Sequence, residues 1–422
     1  MELFDSVYKL YNQYKDRDFV YWIPLVLFTL AVKVRYFWLL MKSGRGIPES
    51  EDSDWYIAYA HSLMTHFRIG LNMDEIMYAG YNLLLTALLA LFKDPVAVVF
   101  IQVLTASFSV ILVYKIAKLL FNRTTAVIAS LIYGYSWDIT LWSTYLLTDS
   151  FFISLLLLCV YFLLQTFETG KKTYKWLFIA TSLYMLVFRP AGVMTLMFVM
   201  AYAFIRMDKT KLVAFLRKYR LLIGGVLVAG LAVFVFALAS GRLEPLLESM
   251  QLNAKKVLYN MYAEGWIYDK PSGYDYHFTP DYTIDIANSL ILSFFIHNWD
   301  HILILYGRRS IAFLGRWVWD PEARSGMLTY VRHLVPIALF AVGTVAAAVN
   351  GLFRRASVIW LVIAAVFLFC VLFFIDGLYR YKAPGIPFIA IAVAYGADRT
   401  VRGIFVVAKK YTGMLLWDKG KY

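Results

Sequence analysis

The stretch Glu49–Gly70, ESEDSDWYIAYAHSLMTHFRIG, stands just after a long apolar run, Phe19–Met41, FVYWIPLVLFTLAVKVRYFWLLM. It places four acids, Glu49, Glu51, Asp52 and Asp54, within six residues, and an aromatic pair, Trp55 and Tyr56, follows at once. Apolar residues then recur at Trp55, Ile57 or Ala58, Tyr59, Leu63 and Met64. That spacing predicts a helix lying on a membrane surface after a segment that crosses it. Solvation of a loop accounts for any one of the acids. As a group, at the mouth of a basic, apolar chain, they also suit a catalytic carboxylate at the membrane–water boundary, with or without a metal beside it.

The composition agrees with a membrane protein. Hydrophobic residues make up 61% of 422, aromatics 18%, and the mean hydropathy is +0.63. Soluble domains average about 45–50% apolar. Lipid-facing helices with aromatic belts accommodate 32 Phe, 31 Tyr and 12 Trp more readily than a soluble core would. The net charge of +13 calls for no nucleic-acid partner, because Lys and Arg gather in cytoplasmic loops of membrane proteins. Cys159 and Cys370 both lie in apolar runs and read as small core residues, not as a disulfide. Phe19–Met41 is too long for a signal-peptide core and has no small-residue cleavage site after it.

The fold expected is therefore all-α: a polytopic membrane protein with about ten spans, plus surface helices in the first and the long outer loops. The expected cores are Phe19–Met41, Val96–Leu120, Thr125–Tyr135, Leu146–Phe167, Trp176–Phe188, Gly192–Ile205, Leu221–Ala239, His333–Val349, Val358–Ile375 and Pro384–Val407. Residues 1–18, with Tyr8, Tyr11 and Tyr14, read as an amphipathic helix. Tyr81–Phe92 is too short to span and reads as re-entrant or interfacial. Residues 1–407 form one membrane domain, with an acidic outer loop at 42–81, a long outer loop at 241–331, and a cytoplasmic tail at 408–422. Within the long loop, Ile284–Phe295 and Ile302–Trp319 read as surface helices.

Charge sets the orientation. Lys171, Lys172 and Lys175, then Arg206 through Arg220, then Arg354 and Arg355, and finally Arg399, Arg402, Lys409 and Lys410 fall on one predicted side. The first loop is acidic and falls on the other. The positive-inside trend then turns Asp52 outward. Lys33 and Arg35 interrupt the first span and are expected near the outer interface or a water-filled cavity.

Several motifs bear on chemistry. His297 and His301 in HNWDH are four apart, a zinc-ligand spacing on a helix, but Asn298 stands where a metalloprotease has Glu, and interfacial histidines beside Trp299 are the better reading. No Gly-rich phosphate loop is present, which speaks against a nucleotide-driven pump. Asp149 lies at the outer end of a predicted span and is expected to face a polar cavity. Arg189 marks an outward turn between two spans, and Arg380 and Lys382 lie between the last two. Outward cations run against the general trend and suit a phosphate, which guanidinium binds in two-pronged fashion and ammonium as a point charge.

These residues carry a resemblance. The chain resembles the GT-C superfamily of glycosyltransferases that use polyprenyl-phosphate sugars. The nearest branch is that of the protein O-mannosyltransferases and bacterial aminoarabinose–lipid A transferases. The branch's Asp-(Glu or Ser)-x-x-Tyr signature is similar to Asp52, Ser53 and Tyr56. Its Gly-Tyr stretch resembles Ala79-Gly80-Tyr81, its Thr-Glu resembles Thr148-Asp149, and its Arg-Pro turn resembles Arg189-Pro190. Its late Arg-Tyr-x-x-Pro-x-x-Pro resembles Arg380, Tyr381, Pro384 and Pro387. The lysine that the aminoarabinose transferases carry before their Gly-Tyr stretch has no match near Met77, and no stretch of this sequence is expected to form the soluble carboxy-terminal domain of some relatives.

The resemblance implies a polyprenyl-phosphate sugar donor in a prokaryotic inner or plasma membrane and an acceptor lipid, glycan or protein, with the reaction on the outer face. It implies Asp52 as base, with Asp54, Asp149 and Tyr56 orienting the acceptor or a metal. It implies Arg380, Lys382 and Arg189 on the donor phosphate, with Tyr81 and Tyr381 lining the cavity. A divalent cation, magnesium or manganese, is left open, with Asp52 and Asp54 as its ligands if one binds. A single displacement would invert the anomeric centre. A lipid-linked-saccharide flippase and a polysaccharide polymerase of another fold are the alternatives.

Overall fold

A computed structural model describes residues 17–268, 271–273, 275–315, 326–373 and 380–418. All regular structure among them is helical. The amphipathic helix expected over residues 1–18 lies almost wholly outside the described residues, as do the last residues of the Ile302–Trp319 and Val358–Ile375 segments.

The first helix, α1 (Phe19–Lys42), is followed by a surface helix, α2 (Glu51–His66). Ser50 caps α2 by accepting from the Ser53 amide at 3.4 Å. The three acids of the first turn, Glu51, Asp52 and Asp54, then sit at the positive end of the helix dipole. A single turn, α3 (Met73–Met77), leads into α4 (Ala79–Phe92), which at 14 residues is as short as the sequence implies.

The bundle continues with α5 (Pro95–Phe108), α6 (Val110–Leu120), α7 (Arg123–Tyr135) and the short α8 (Trp137–Trp142). Next come α9 (Asp149–Thr169), α10 (Lys172–Leu186), α11 (Pro190–Arg206) and the long α12 (Lys209–Ala239). The basic cluster expected as a loop before Leu221 instead begins α12, which Asp208 caps through the Thr210 amide at 3.0 Å. The long loop holds α13 (Glu244–Lys256), α14 (Leu290–His297) and α15 (Trp299–Leu314). The chain closes with α16 (Met327–Val349), α17 (Phe353–Leu372), a 3₁₀ turn at Arg380–Gly385, and α18 (Ile386–Asp418). α18 runs on past 407, where the last span was expected to end.

Five helical segments among the described residues are long and apolar enough to cross a membrane, and two bent pairs would raise the number to seven. The expected ten also included α7, α10 and α11, which hold 13, 15 and 17 residues. Each falls short of the roughly 20 that a full apolar crossing takes.

Close approach holds the last helices together. A Cβ on Gly396 would meet the Leu339 carbonyl oxygen at 1.9 Å, and one on Gly343 would meet that of Ala392 at 2.3 Å. Only glycine permits α16 and α18 to cross there, the means by which membrane helices pack without a hydrophobic driving force. The long loop packs its own apolar cluster, including Leu258, Ile267, Phe294 and Leu305, against Val366 and Cys370 of α17. Buried Arg309 ties it down, donating to the Trp266 carbonyl and, at 3.0 Å, to that of Val371 in the last turn of α17.

His297 and His301 do not share a helix face, because the chain bends by 82° between α14 and α15. His297 Nε2 instead meets Asp285 at 2.6 Å, while His301 bonds the Tyr276 hydroxyl at 2.8 Å and stacks on Phe278. Lys33 is enclosed by protein. It is fully buried, donating to the Thr140 hydroxyl at 3.2 Å beside the Tyr133 ring, while Arg35 is exposed.

Candidate active site

Helix starts converge at one end of the bundle. Asp52 lies in the first turn of α2, Asp149 opens α9, Arg189 precedes Pro190 at the start of α11, and Arg380 opens the 3₁₀ turn before α18. The start of α4 is fastened to the same place. The Gly80 amide donates to the Val187 carbonyl at 2.7 Å, and the Tyr184 hydroxyl donates to the Gly80 carbonyl at 2.8 Å. A Cβ on Gly80 would meet that Val187 oxygen at 3.0 Å, so a side chain there would press α4 away from the Arg189 turn. Gln102 and Ser150 link α5 to the segment leading into α9.

The charged side chains form one network. Arg380 donates from Nε to Asp149 Oδ2 at 2.8 Å and from Nη1 to Asp52 Oδ2 at 2.6 Å. Arg189 donates from Nη1 to the other Asp149 oxygen. Asp149 and Arg189 are almost wholly buried, and the Arg380 side chain is 11% exposed, whereas that of Asp52 is 51% exposed. Two carboxylates face two guanidiniums, so the network is neutral as it stands. Its inner members are fixed and its outer member is open to solvent.

Electrostatics follow from that arrangement. Burial alone would lower the Arg380 guanidinium, but Asp149, then Tyr381 and Asp52, outweigh it and hold Arg380 well above its ordinary range. Arg189 is likewise raised, with Asp149 overcoming the cost of burial. Both remain cations despite their burial.

Aromatic rings wall the network. Tyr56 packs edge-on against Tyr78 and Tyr81, with ring centroids at 5.6 and 4.8 Å, and Tyr81 meets Phe188 at 5.7 Å. Arg189 lies over the Tyr381 ring at 5.0 Å. Burial, reinforced by Tyr78 and Asp52, pushes the Tyr56 phenol well above its usual range, so it is a neutral wall residue. The Tyr81 hydroxyl, both polar atoms of the Asn82 amide and the Thr148 hydroxyl are buried without a protein hydrogen-bond partner among the described residues. Such groups are costly to leave unpaired and are common where a site takes water or substrate.

The structure thus unites Asp52, Asp149, Arg189, Arg380, Tyr56, Tyr81 and Tyr381. It separates two others. Asp54 is exposed and makes no ion pair among the described residues. Lys382 donates to the Phe313 carbonyl at 2.5 Å and lines a different pocket, so it does not stand beside Arg380 as a second grip on one phosphate. Asp149 lies buried between two guanidiniums, Arg189 and Arg380. No three His, Cys, Asp or Glu side chains among the described residues come together as a metal-binding group, so Asp52 and Asp54 do not supply a ligand set by themselves. Tyr78 and Asn82 were not legible as site residues, while Thr148 was marked only as the neighbour of Asp149 in the Thr-Glu-like motif. Tyr78 adjoins the Gly-Tyr stretch, but nothing in the spacing marks it out.

Comparison with protein families supplies the remaining evidence. Residues 79–241 match the model of the dolichyl-phosphate-mannose-protein mannosyltransferase family. The match points to a membrane glycosyltransferase that uses a lipid-linked sugar. It takes in Tyr81, Asp149 and Arg189, while Asp52 and Tyr56 lie before it and Arg380 to Lys382 after it. Comparisons with curated proteins and with solved structures find no match.

Proposed function

We propose that the protein transfers a sugar from a polyprenyl-phosphate donor to a lipid, glycan or protein acceptor on the outer face of the membrane, with inversion at the anomeric carbon. The observation that carries this reading is the Asp52–Arg380–Asp149–Arg189 network. It joins a solvent-reachable carboxylate to a buried guanidinium where helix starts converge, in a chain of which residues 79–241 match a lipid-linked-sugar transferase family.

In this reading Arg380 receives the donor phosphate and Asp52 the acceptor proton. The acceptor oxygen or nitrogen attacks the anomeric carbon. Its proton passes to an Asp52 carboxylate oxygen, and the bond from the anomeric carbon to the phosphate oxygen breaks. The electron pair leaves with the lipid phosphate, whose charge Arg380 stabilises. The phosphate competes with Asp52 for Nη1, so donor binding would itself release the base. Asp149, braced by Arg189, keeps Arg380 in place while its outer partner changes. Arg189 therefore acts through Asp149 and is not itself a phosphate ligand. Tyr56, Tyr81 and Tyr381 shape the cavity.

The direct test is to incubate purified protein with a panel of polyprenyl-phosphate sugars, among them mannose and aminoarabinose, and follow release of the sugar. Release that requires both Asp52 and Arg380 supports the reading. No release from any of them, by protein that still binds polyprenyl phosphate, removes it. A transporter would need a polar site near the midplane. Lys33 is a buried charge within a span, but it has no acidic partner among the described residues, and the charge network lies at the helix ends instead.

A further inference from the structure

Lys382 lies two residues beyond Arg380 on the same 3₁₀ turn, yet it serves a separate cavity of about 300 Å³. Phe313 and Leu314 of α15, Ile363 of α17 and Ile389 of α18 wall this cavity on one side. One face of α16 forms the other, through Arg332, His333, Pro336, Ile337 and Phe340. The spacing of those α16 residues is that of a single helical stripe. Polarity changes along it. Arg332 and His333 stand in the early turns at the level of Lys382, and Pro336, Ile337 and Phe340 follow one and two turns deeper. The Lys382 ammonium is 4.8 Å above the Phe313 ring. Among the described residues, Asp138 is the carboxylate within electrostatic reach of both Lys382 and Arg332, so the described mouth carries more positive charge than negative. Burial lowers the Lys382 ammonium, and Asp138 works against that.

A cationic mouth above an apolar trough matches an anionic head on a hydrocarbon chain. We propose that this pocket binds one anionic phospholipid of the surrounding leaflet, and that this lipid is not the sugar donor. The second half rests on the function proposed above. If chemistry takes place between Asp52 and Arg380, the donor phosphate must lie there, and the Lys382 pocket then holds the phosphate of another lipid. Because both cations belong to one 3₁₀ turn, an occupied pocket would steady the turn that presents Arg380.

The test measures binding, not turnover. The full chain in neutral detergent is titrated with dioleoylphosphatidylglycerol, dioleoylphosphatidylcholine or farnesyl monophosphate, and bound lipid is counted by native mass spectrometry. The expected result is preferential retention of phosphatidylglycerol over phosphatidylcholine. Arg332→Gln and Lys382→Gln should each weaken it about fivefold, the effect of roughly 1 kcal/mol per basic residue at a membrane surface. Ile337→Trp, which fills the trough and leaves every charge in place, should weaken it as well. Arg332 is exposed, so its replacement carries little risk to folding. Unchanged phosphatidylglycerol binding in Arg332→Gln and Ile337→Trp would overturn the proposal. So would farnesyl monophosphate displacing phosphatidylglycerol and losing affinity in those same variants, because the pocket would then belong to the donor. Neither result bears on whether Asp52 is the base.

Discussion

Arg380 and Asp52 stand 328 positions apart in the chain and meet at 2.6 Å. The pair joins the first loop after α1 to the turn before α18. Its members differ in setting: Asp52 is half exposed, and Arg380 is anchored from behind by Asp149 at 2.8 Å. An ion pair with one fixed and one exposed member can open without disturbing the helices that carry it.

Asp52→Asn keeps the size of the side chain and removes its ability to take a proton. It should fold, still bind donor lipid, and lose turnover by roughly 10²–10⁴-fold. Asp54→Asn should lose far less, because Asp54 lies outside the network. Rates at saturating donor and acceptor decide this, and near-normal turnover by well-folded Asp52→Asn would falsify the assignment.

Arg380→Lys should weaken donor use, since one ammonium cannot reproduce the geometry with which the guanidinium reaches both Asp52 and Asp149. Lys382→Ala should cost less, because Lys382 faces another pocket. Apparent donor affinity of the two purified variants is the measurement. An Arg380→Ala protein with wild-type affinity would leave Arg380 no role on the phosphate.

Asp149→Asn should act on stability. It leaves the buried Arg189 guanidinium without its counter-charge, at a cost of about 3–5 kcal/mol. Asp52→Asn, which breaks a half-exposed pair, should cost no more than about 1 kcal/mol. Thermal unfolding in detergent compares them. Equal midpoints would show that the inner pair does not hold the site together.

The contact between His297 and Asp285 should depend on pH. The hydrogen bond to Asp285 raises the imidazole above its ordinary value of 6.5, with the Asp285 charge adding to it. A raised histidine stabilises the fold fully below the unfolded value and loses that contribution as pH rises through the folded one. Hydrogen exchange around residues 281–290 should therefore quicken as pH climbs past 6.5, after correction for intrinsic rates. His297→Gln should remove the effect, and an identical profile in that variant would show that the histidine is not its source.

Topology is testable in intact cells. Charge asymmetry predicts that cysteines at Ser50 and Ser272 react with an impermeant thiol reagent from outside and that one at Thr210 does not. The opposite pattern would turn the network to the cytoplasm and exclude a donor in the outer leaflet.

The class of fold was legible in the sequence because hydrophobic length and periodicity are local properties. Phe19–Lys42, Glu51–His66 and Phe353–Leu372 lie close to where the apolar runs and the acidic cap place them. The reading weakened where helices are short. α7, α10 and α11 have the apolar character of spans without the length, and hydropathy does not say what neighbouring helices cover. At HNWDH one chain bend at Asn298 breaks the helical register between the two histidines, which residue spacing does not show. Among the site residues, sequence marked Asp52, Asp149, Arg189 and Arg380 by charge at predicted helix ends, and resemblance ordered them. Only the tertiary structure decided who holds whom. Arg189 grips Asp149, Asp149 grips Arg380, and Lys382 turns to another cavity. Those choices depend on the directions of side chains from helices far apart in the chain. Burial then gives each contact its weight, and neither direction nor burial is written in residue type or spacing.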